Sequence, residues 1–444
     1  MDKITEIVIT GMGIVSPVGS SLETFWDSLL QGRSGISISS HYTLEDVRQI
    51  ARLPYPMSAE VKELETRRIK PRKNIKVMAR DIQLGFVAAD YAREQSLLEE
   101  KPLVPERQGI VFGAMMITVD VSELAPLYGG AITETGGYDP SLFGNAMNQM
   151  YPLWMLKYLP NMTACHIGIA MDLRGPSNTL VSGETGGASA LIEAVRVLQR
   201  GYTDLMFAGG CASCTTPSSW TRYDLYQLSH QFSEPEKAYR PFDSHRDGVV
   251  FGEGAGACVL ETKTSAEKRG VPIYATVLGY AETAEAVWNS ATDFAPQTED
   301  VQIDRKKFTG NSIRHAIQLA MQRAGITASD VAFVMASGNG TVQGDCEEAR
   351  AIRDTLGDVP VTAIKGATGY AMAGSSAMEI VASILALQRG VIPPANHCEE
   401  VAADCPISVV TKSPLPIPEG KRVAVVLSYN FYGQATALVF GRNE

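Results

Sequence analysis

Hydrophobic and polar residues recur along the chain with two different periods, which predicts alternating strands and helices. The segment EIVITGMGIV at 6–15 is rich in β-branched residues, as strands are. In contrast, LETFWDSLLQG at 22–32 has apolar residues at helical spacing and ends in glycine, and LMFAGG at 205–210 is again strand-like. This alternation predicts an α/β fold.

Two helical segments share one pattern. ASALIEAVRVLQRG at 188–201 and AMEIVASILALQRG at 377–390 are apolar at helical spacing and both end in LQRG, which predicts two related halves. We place the seam after residue 262, so that the halves are residues 1–262 and 263–444. The small residues that open both helices, GETGG and MAGSS, would let two backbones approach closely.

Composition restricts the function classes. The 444 residues are 45% hydrophobic, enough to bury large cores. The longest apolar runs are shorter than the roughly 20 residues that span a bilayer, and the N-terminal segment does not resemble a secretory signal. We therefore expect a cytoplasmic protein with no membrane partner. The formal charge of −10 argues against nucleic-acid binding.

A basic segment and the cysteines add to what the composition indicates about partners and metal binding. RRIKPRKNIKVMAR at 67–80 gathers seven Lys and Arg residues without an acid, which fits either a solvated face or a docking patch for an acidic partner. The seven cysteines are an odd number, and Cys211 and Cys214 have no second Cys or His pair beside them. We therefore expect reduced thiols and no metal site.

A carboxylate stands where one helix begins. SGETGGASALIEAVRVLQRG at 182–201 is a glycine-rich turn that leads into an amphipathic helix, and it places Glu184 at the helix start. Helix N-termini carry unpaired N–H groups and roughly +0.5 of a charge. A carboxylate there fits either a simple cap or an altered active site.

Several sequence blocks resemble, in order and spacing, the signature blocks of the β-ketoacyl synthases of the thiolase superfamily. The blocks are VITGMGIVSPVG at 8–19, RGPS at 174–177, AYRPFDSHRDGVVFGEGAG at 238–256, GDCEEARAI at 344–352, AIKGATGYAMAG at 363–374 and SYNFYG at 428–433. The resemblance covers almost the whole chain. It implies a thiolase-like five-layered αβαβα fold from two duplicated halves, an obligate dimer, no cofactor, and condensation of acyl chains carried on acyl carrier protein.

The resemblance also identifies an altered site. Condensing members start the buried helix with a cysteine nucleophile and complete the site with two histidines, in Ala-His-Gly-Thr and Thr-Gly-His blocks. Here Glu184, Ser337 and Tyr370 stand in those three places, and of the usual set only Lys365 remains. We therefore expect a retained fold without condensation chemistry. Glu184 would plug the former acyl site by accepting helix N–H groups and pairing with Lys365.

Three functions fit this pattern to different degrees. The pattern resembles the chain length factor, or ketosynthase β subunit, of type II polyketide synthases, although glutamine is usual at the position of Glu184. Such a subunit forms a heterodimer with an active ketosynthase α subunit and shapes the cavity in which the polyketide grows. A second reading is a malonyl-carrier decarboxylase that primes synthesis. An ionised Glu184 about 4 Å from the malonyl carboxylate would oppose it by roughly 4 kcal/mol at a dielectric of 20.

The third reading is an active homodimeric synthase with a displaced nucleophile, for which the candidates are Cys165, Cys211 and Cys214. None of them starts the glycine-rich helix, so buried structural thiols are the better interpretation.

The resemblance places a substrate channel as well. The segment at 111–128 matches the tunnel wall of family members, and its candidate channel residues are Ile117, Asp120 and Leu124, at helix-like spacing on one face. An ordinary core face fits Ile117 and Leu124 nearly as well.

Tyr429 matches the gating phenylalanine of a mobile glycine-rich loop, which Asn430 in place of a glycine would stiffen. Because this chain and acyl carrier proteins are both acidic, we expect the carrier to dock mainly on the partner, with residues 67–80 as a secondary patch.

Overall fold

The computed structural model describes residues 5–40, 55–115, 119–220, 227–287 and 308–443. Its strands are β1 (Ile7–Val15), β2 (Ile36–Ile38), β3 (Met57–Ala59), β4 (Gln108–Gly113), β5 (Ser177–Leu180), β6 (Leu205–Ser213), β7 (Glu253–Thr262), β8 (Ala275–Ala284), β9 (Val331–Met335), β10 (Pro360–Thr362), β11 (Val391–Ile392), β12 (Ser408–Val409), β13 (Leu415–Pro416), β14 (Val423–Tyr429) and β15 (Gln434–Gly441).

The α-helices follow the same alternation. They are α1 (Leu22–Leu30), α2 (Arg80–Gln95), α3 (Val121–Gly129), α4 (Trp154–Tyr158), α5 (Met162–Met171), α6 (Gly186–Gln199), α7 (Pro217–Trp220), α8 (Pro235–Ala238), α9 (Lys263–Arg269), α10 (Asn311–Ala324), α11 (Val342–Leu356), α12 (Lys365–Thr368) and α13 (Met372–Arg389). Each strand and helix segment predicted from the hydrophobic pattern corresponds to an element of its type. In the part of the chain that the structure describes, no helix is long and apolar enough to cross a membrane.

The strand order repeats itself in the two halves. The large mixed sheet runs β12-β10-β9-β14-β15-β8-β1-β7-β6-β4-β5. In the first half, β1, β7 and β6 pair antiparallel, and β6, β4 and β5 pair parallel. In the second half, β8, β15 and β14 pair antiparallel, and β14, β9 and β10 pair parallel. The predicted duplication is therefore present in the topology.

Helices lie on both faces of each half and give five layers. The central helices α6 and α13 pack on each other between the two halves of the sheet, against β6, β7 and β14. The outer helix α2 covers β1, β6 and β7, and the outer helix α10 covers β8 and β15 beside α11. Separate apolar clusters fill the central layer and the two outer faces. The thiolase-like five-layered fold is thus confirmed.

Small residues allow the two central helices to meet closely, as their sequences predicted. A Cβ atom built on Gly187 of α6 would lie 2.4 Å from the carbonyl oxygen of Ala373 in α13. One built on Gly186 would lie 2.9 Å from the Ala373 Cβ. This close approach brings the starts of the two helices, and the residues just before them, into one buried site.

Candidate functional site

Glu184 lies in a buried turn at the start of the central helix α6. It belongs to the 3-10 turn Gly183–Thr185, which Gly183 enters with a φ of +60°. The residue is 2% exposed, and its Oε1 has no hydrogen-bond partner among the described residues. Neither the turn nor α6 has a side-chain cap. Glu184 is therefore a buried carboxyl at the expected place, but it does not cap the first turn of α6.

The electrostatic surroundings of Glu184 favour its neutral form. Burial is the main cause that raises the pKa of its carboxyl to about 7, and the nearby Glu379 carboxyl adds to this. The Tyr370 hydroxyl, which donates toward the carboxylate, the backbone N–H of Glu184 and the charge of Lys365 act in the opposite direction. Near neutral pH a large fraction of Glu184 is therefore uncharged.

Lys365 does not form the predicted ion pair with Glu184. Its fully buried Nζ donates to the Ser337 carbonyl at 2.6 Å and to the Ser337 Oγ at 2.8 Å, and it lies 2.8 Å from Glu379 Oε1. These contacts direct the ammonium group toward Ser337 and Glu379. The prediction of direct pairing is wrong, and Glu184 interacts with Lys365 only through its charge.

Ser337 sits in a loop that buried carboxyls hold in place. The backbone N–H groups of Ser337 and Gly338 donate to the two oxygens of Glu348, at 2.7 and 2.9 Å, and that of Gly340 donates to Asp345 at 3.0 Å. Burial raises the pKa of Glu348 to about 8 and that of Asp345 to about 6, although the backbone donors oppose the shifts. These side chains position the loop and reach no open surface.

Tyr370 lies opposite Glu184 and is fully buried. Its backbone N–H donates to the Val250 carbonyl at 2.8 Å, and its carbonyl accepts from the Gly252 N–H at 2.9 Å. These bonds fix the residue against the segment before β7, where its ring lies 6.0 Å from that of Phe251. The structure thus brings Glu184, Ser337, Lys365 and Tyr370 into one buried group, as the resemblance implied.

Tyr429 is part of this group but does not lie in a loop. It is the last residue of β14, is 1% exposed, and stacks on Phe308 with ring centroids 5.2 Å apart. Burial, together with the charges of Glu348, Asp345 and Glu184, raises its pKa well above the usual range. The prediction of a loop position is wrong because strand pairing with β15 continues through Tyr429.

The turn after Tyr429 is held by Asn430 and carries a second aromatic residue. The Asn430 Oδ1 accepts from the backbone N–H groups of Tyr432 and Gln434, at 3.0 and 3.1 Å. Its Nδ2 donates to the Ser182 carbonyl at 3.0 Å, so the turn is tied to the segment just before Glu184. Phe431 packs against the apolar cluster that contains Tyr370. The sequence reasoning missed Phe431, although it lies in the same SYNFYG block.

Two of the three predicted channel residues lie in the part of the chain that the structure describes. Asp120 is the N-cap of α3, with an extended backbone, and its Oδ1 accepts from the backbone N–H of Ser122 at 3.0 Å. Leu124 is half-buried within α3, and Ile117 lies outside the described residues. The helix begins at Val121, so Asp120 stands just before it, and the channel role of these residues stays a prediction.

Asp120 lines a cleft of about 240 Å³. The cleft is bounded by Met78, Ala79, Arg80, Asp81, Gln83, Met115, Asp120, Lys157, Tyr158, Ser213 and Thr216. It lies between the start of α2, the N-cap of α3 and the end of α4.

The three candidate cysteines all lie outside the turn that starts α6. Cys211 and Cys214 are fully buried, and Cys165 is half-buried on α5. Burial raises the pKa of the Cys211 thiol far above its usual range, whereas a reactive cysteine needs a lowered one. Among the residues that the structure covers, no cluster of His, Cys, Asp and Glu could hold a metal ion.

The basic segment is largely exposed. Lys70, Arg72, Lys73 and Lys76 are exposed and form no ion pair with another described residue. Arg68 instead pairs with Asp90 on α2. The segment therefore presents positive charge to solvent directly beside the cleft.

The five-layered fold, with its buried site at the start of the central helices, defines a protein of the thiolase-like class. Family models of the β-ketoacyl synthases match the chain, the N-terminal domain over residues 5–266 and the C-terminal domain over residues 290–399. The chain therefore belongs to the β-ketoacyl synthase family.

Curated relatives and solved structures agree with this assignment. A 3-oxoacyl-[acyl-carrier-protein] synthase 2 of Synechocystis sp. is 28% identical to this chain. The alignment covers 99% of this chain and 98% of the relative. The Vibrio cholerae protein of that name is 29% identical, and the alignment covers 98% of this chain and 99% of the relative. A β-ketoacyl synthase structure from Burkholderia phymatum superimposes with a TM-score of 0.83 at 25% identity. The superposition covers 99% of this chain and 100% of that structure's chain. A structure described as the ishigamide ketosynthase/chain length factor gives a TM-score of 0.79 at 27% identity, over 100% of both chains.

Proposed function

We propose that this chain is a non-condensing subunit of a type II polyketide synthase, a chain length factor that pairs with an active ketosynthase. The observation that carries the proposal is the chemistry at the start of α6. A buried Glu184 carboxyl with a pKa of about 7 stands where condensing members have their thiolate. Ser337 and Tyr370 stand where condensing members have their imidazoles, so we expect this carboxyl not to form the acyl-enzyme.

The contacts around the site support a structural role for its residues rather than a new catalytic activity. Lys365 is engaged by Ser337 and Glu379, and Glu348 holds the 337–338 backbone. These contacts stabilise the loops of the site without presenting a base or nucleophile. The similarity to a structure described as a ketosynthase/chain length factor supports the same assignment, whereas the curated relatives are named as synthases.

Malonyl decarboxylation is the second candidate. The raised pKa of Glu184 reduces the charge repulsion expected from an ionised carboxylate, because much of the residue is neutral near pH 7. Neutral Glu184 carries an O–H group that can donate to a thioester oxygen. The site nevertheless lacks both imidazoles of condensing members, so we place this activity second.

Acyl loading tests the proposal directly. The protein, mixed with carrier-bound acyl thioesters, should show no covalent acyl adduct by intact mass under denaturing conditions, because Glu184 replaces the thiolate. Glu184→Cys is the matched variant: it should accept an acyl group yet fail to condense, since Ser337 and Tyr370 replace the histidines. An adduct on the unmodified chain would contradict the proposal. Carbon dioxide release from carrier-bound malonyl groups, with the partner's cysteine blocked, would favour the decarboxylase instead.

A further inference from the structure

A second cleft lies where β14 begins and β15 ends. It encloses about 310 Å³ and is bounded by Gly390, the segment 417–422, Arg442 and Asn443. Helix α13 ends here, with Gly390 as its C-cap, and its 18 residues make it about 27 Å long at about 1.5 Å per residue. The site that contains Glu184 is at the other end of α13. This β14–β15 cleft is therefore a separate space.

Backbone hydrogen bonds hold the lip of the β14–β15 cleft in place. The Ile417 N–H donates to the Gly390 carbonyl at 2.9 Å, and the Lys421 N–H donates to the Pro418 carbonyl at 3.1 Å. Gly420 has a φ of +82°, which a glycine adopts without strain, and so completes the turn between Pro418 and Lys421. The cleft is thus formed by the protein alone.

The β14–β15 cleft concentrates positive charge in an acidic chain. Lys421, Arg422 and Arg442 line it together with one carboxylate, Glu419, which gives a local formal charge of +2 in a chain of −10. Arg422 and Arg442 stand opposite each other on adjacent chain segments, because the Arg442 N–H donates to the Arg422 carbonyl at 2.9 Å. Like charges at opposed positions repel. An anion between these side chains would offset that repulsion.

Two of these cations have donors directed to the β14–β15 cleft. Lys421 is half-buried, and its Nζ donates to the Val331 carbonyl at 2.9 Å, which holds the ammonium group beside the cleft. The exposed guanidinium of Arg442 has no hydrogen bond or ion pair with another described residue. Its Nη1 would lie 3.9 Å from a Cβ atom built on Gly390, so it lies over the end of α13. A guanidinium offers a planar fork of N–H groups that matches the oxygens of a phosphate.

We propose that the β14–β15 cleft binds the phosphate group of a small molecule, with Arg442 as the bidentate donor and Lys421 as the second cation. A phosphate group carries up to two negative charges and presents three oxygens, whereas a carboxylate carries one charge on two oxygens. It can therefore contact both cations at once. This inference goes beyond the proposed function, since the cleft lies away from the Glu184 site and contains no residue of it.

The test is calorimetric titration with pyrophosphate at neutral pH and low salt, where screening is weak. The protein is used as the heterodimer, or as the chain alone if no partner binds, so the result does not depend on the proposed function. We expect one saturable site per chain. Arg442→Met should weaken binding about 10-fold, and Lys421→Met about 5-fold, because each removes a charge-assisted hydrogen bond. Arg200→Met, the same change at an exposed arginine outside the cleft, should leave binding unchanged.

Acetate is the probe for ligand class, and it should bind about 10-fold more weakly than pyrophosphate. If pyrophosphate does not bind, or if Arg442→Met and Arg200→Met bind it equally, the inference is wrong. Acetate binding as tight as that of pyrophosphate would overturn the phosphate class. Thermal denaturation checks that each variant is folded. Since the Arg442 side chain is exposed and unpaired among the described residues, its variant tests the site even if Lys421→Met fails to fold.

Discussion

Glu184 gives the protein a pH dependence of stability. In the unfolded chain this carboxyl titrates near 4.5, and in the folded protein near 7. Below pH 4.5 both states hold the proton and the residue has no effect. Between pH 4.5 and 7 the unfolded state loses its proton first, so the folded state is progressively disfavoured, by about 3 kcal/mol above pH 7.

Glu184→Gln should therefore remove this contribution. Between pH 5 and pH 8, the free energy of unfolding of the variant should fall by about 2.5 kcal/mol less than that of the original protein, measured by urea unfolding at both values. Glu419→Gln, at an exposed carboxyl, serves as the control and should follow the original protein. Equal pH dependence in all three proteins would mean that Glu184 is ionised in the folded state throughout.

The positions of the site residues could be predicted only where those residues lie in a sequence block that resembles one of the family's signature blocks. Glu184, Ser337, Lys365 and Tyr370 meet as expected because each stands in a recognisable block. The Lys365–Glu379 pair was not predicted, since it depends on how α12 and α13 pack. A glutamate within the long apolar run of α13 was nevertheless a signal, because a buried carboxyl needs a charged or hydrogen-bonding partner.

Helix packing in the central layer depends on the missing side chain of Gly187. A Cβ at this position would lie 2.4 Å from the Ala373 carbonyl oxygen, so α6 and α13 would have to separate. We expect Gly187→Ala to destabilise the protein by roughly 1–3 kcal/mol, as overpacking does. Gly129→Ala is the control, because its Cβ would meet nothing within 4 Å. Equal denaturation midpoints for the two variants would contradict the close packing.

Element types followed from periodicity, whereas two element boundaries did not. The helix that contains Leu124 begins at Val121 because Asp120 caps it. The sequence DVSE contains this signal, since an Asp followed three residues later by Glu is typical of a helix start. Tyr429 was assigned to a loop because it matches the family's gating phenylalanine, but its pairing with β15 cannot be read from the SYNFYG block alone.

The whole molecule shows its duplication in the order of its strands. The repeated LQRG helices became the two central helices, and the two halves of the sheet share one order. The seam at residue 262 stays a prediction, although β7 ends at Thr262. The large sheet ends at β5 on one side and at β12 on the other, and the β5 edge bears on assembly.

The edge at β5 is the surface where we expect the partner to bind. In the described sheet, β5 pairs only with β4, and an edge strand offers unpaired backbone groups to another chain. Exposed apolar residues accompany it: Ile169 on α5 is 74% exposed and Val181, which follows β5, is 45% exposed. Apolar surface of this kind marks an interaction site and makes an unpartnered chain prone to aggregate.

We therefore expect the chain to be poorly soluble when expressed alone and to form a 1:1 heterodimer with a ketosynthase that keeps its cysteine and both histidines. Ile169→Lys and Val181→Lys should each weaken this complex at least 10-fold, because burying an unpaired ammonium group at the interface costs more than 1.4 kcal/mol. Leu319→Lys on α10, at an apolar residue 38% exposed on the opposite outer layer, is the matched control. Co-purification and analytical ultracentrifugation measure the outcome. If the chain instead forms a soluble homodimer that both substitutions leave intact, the interface lies elsewhere. The prediction that a catalytic partner binds at the β5 edge would then be wrong.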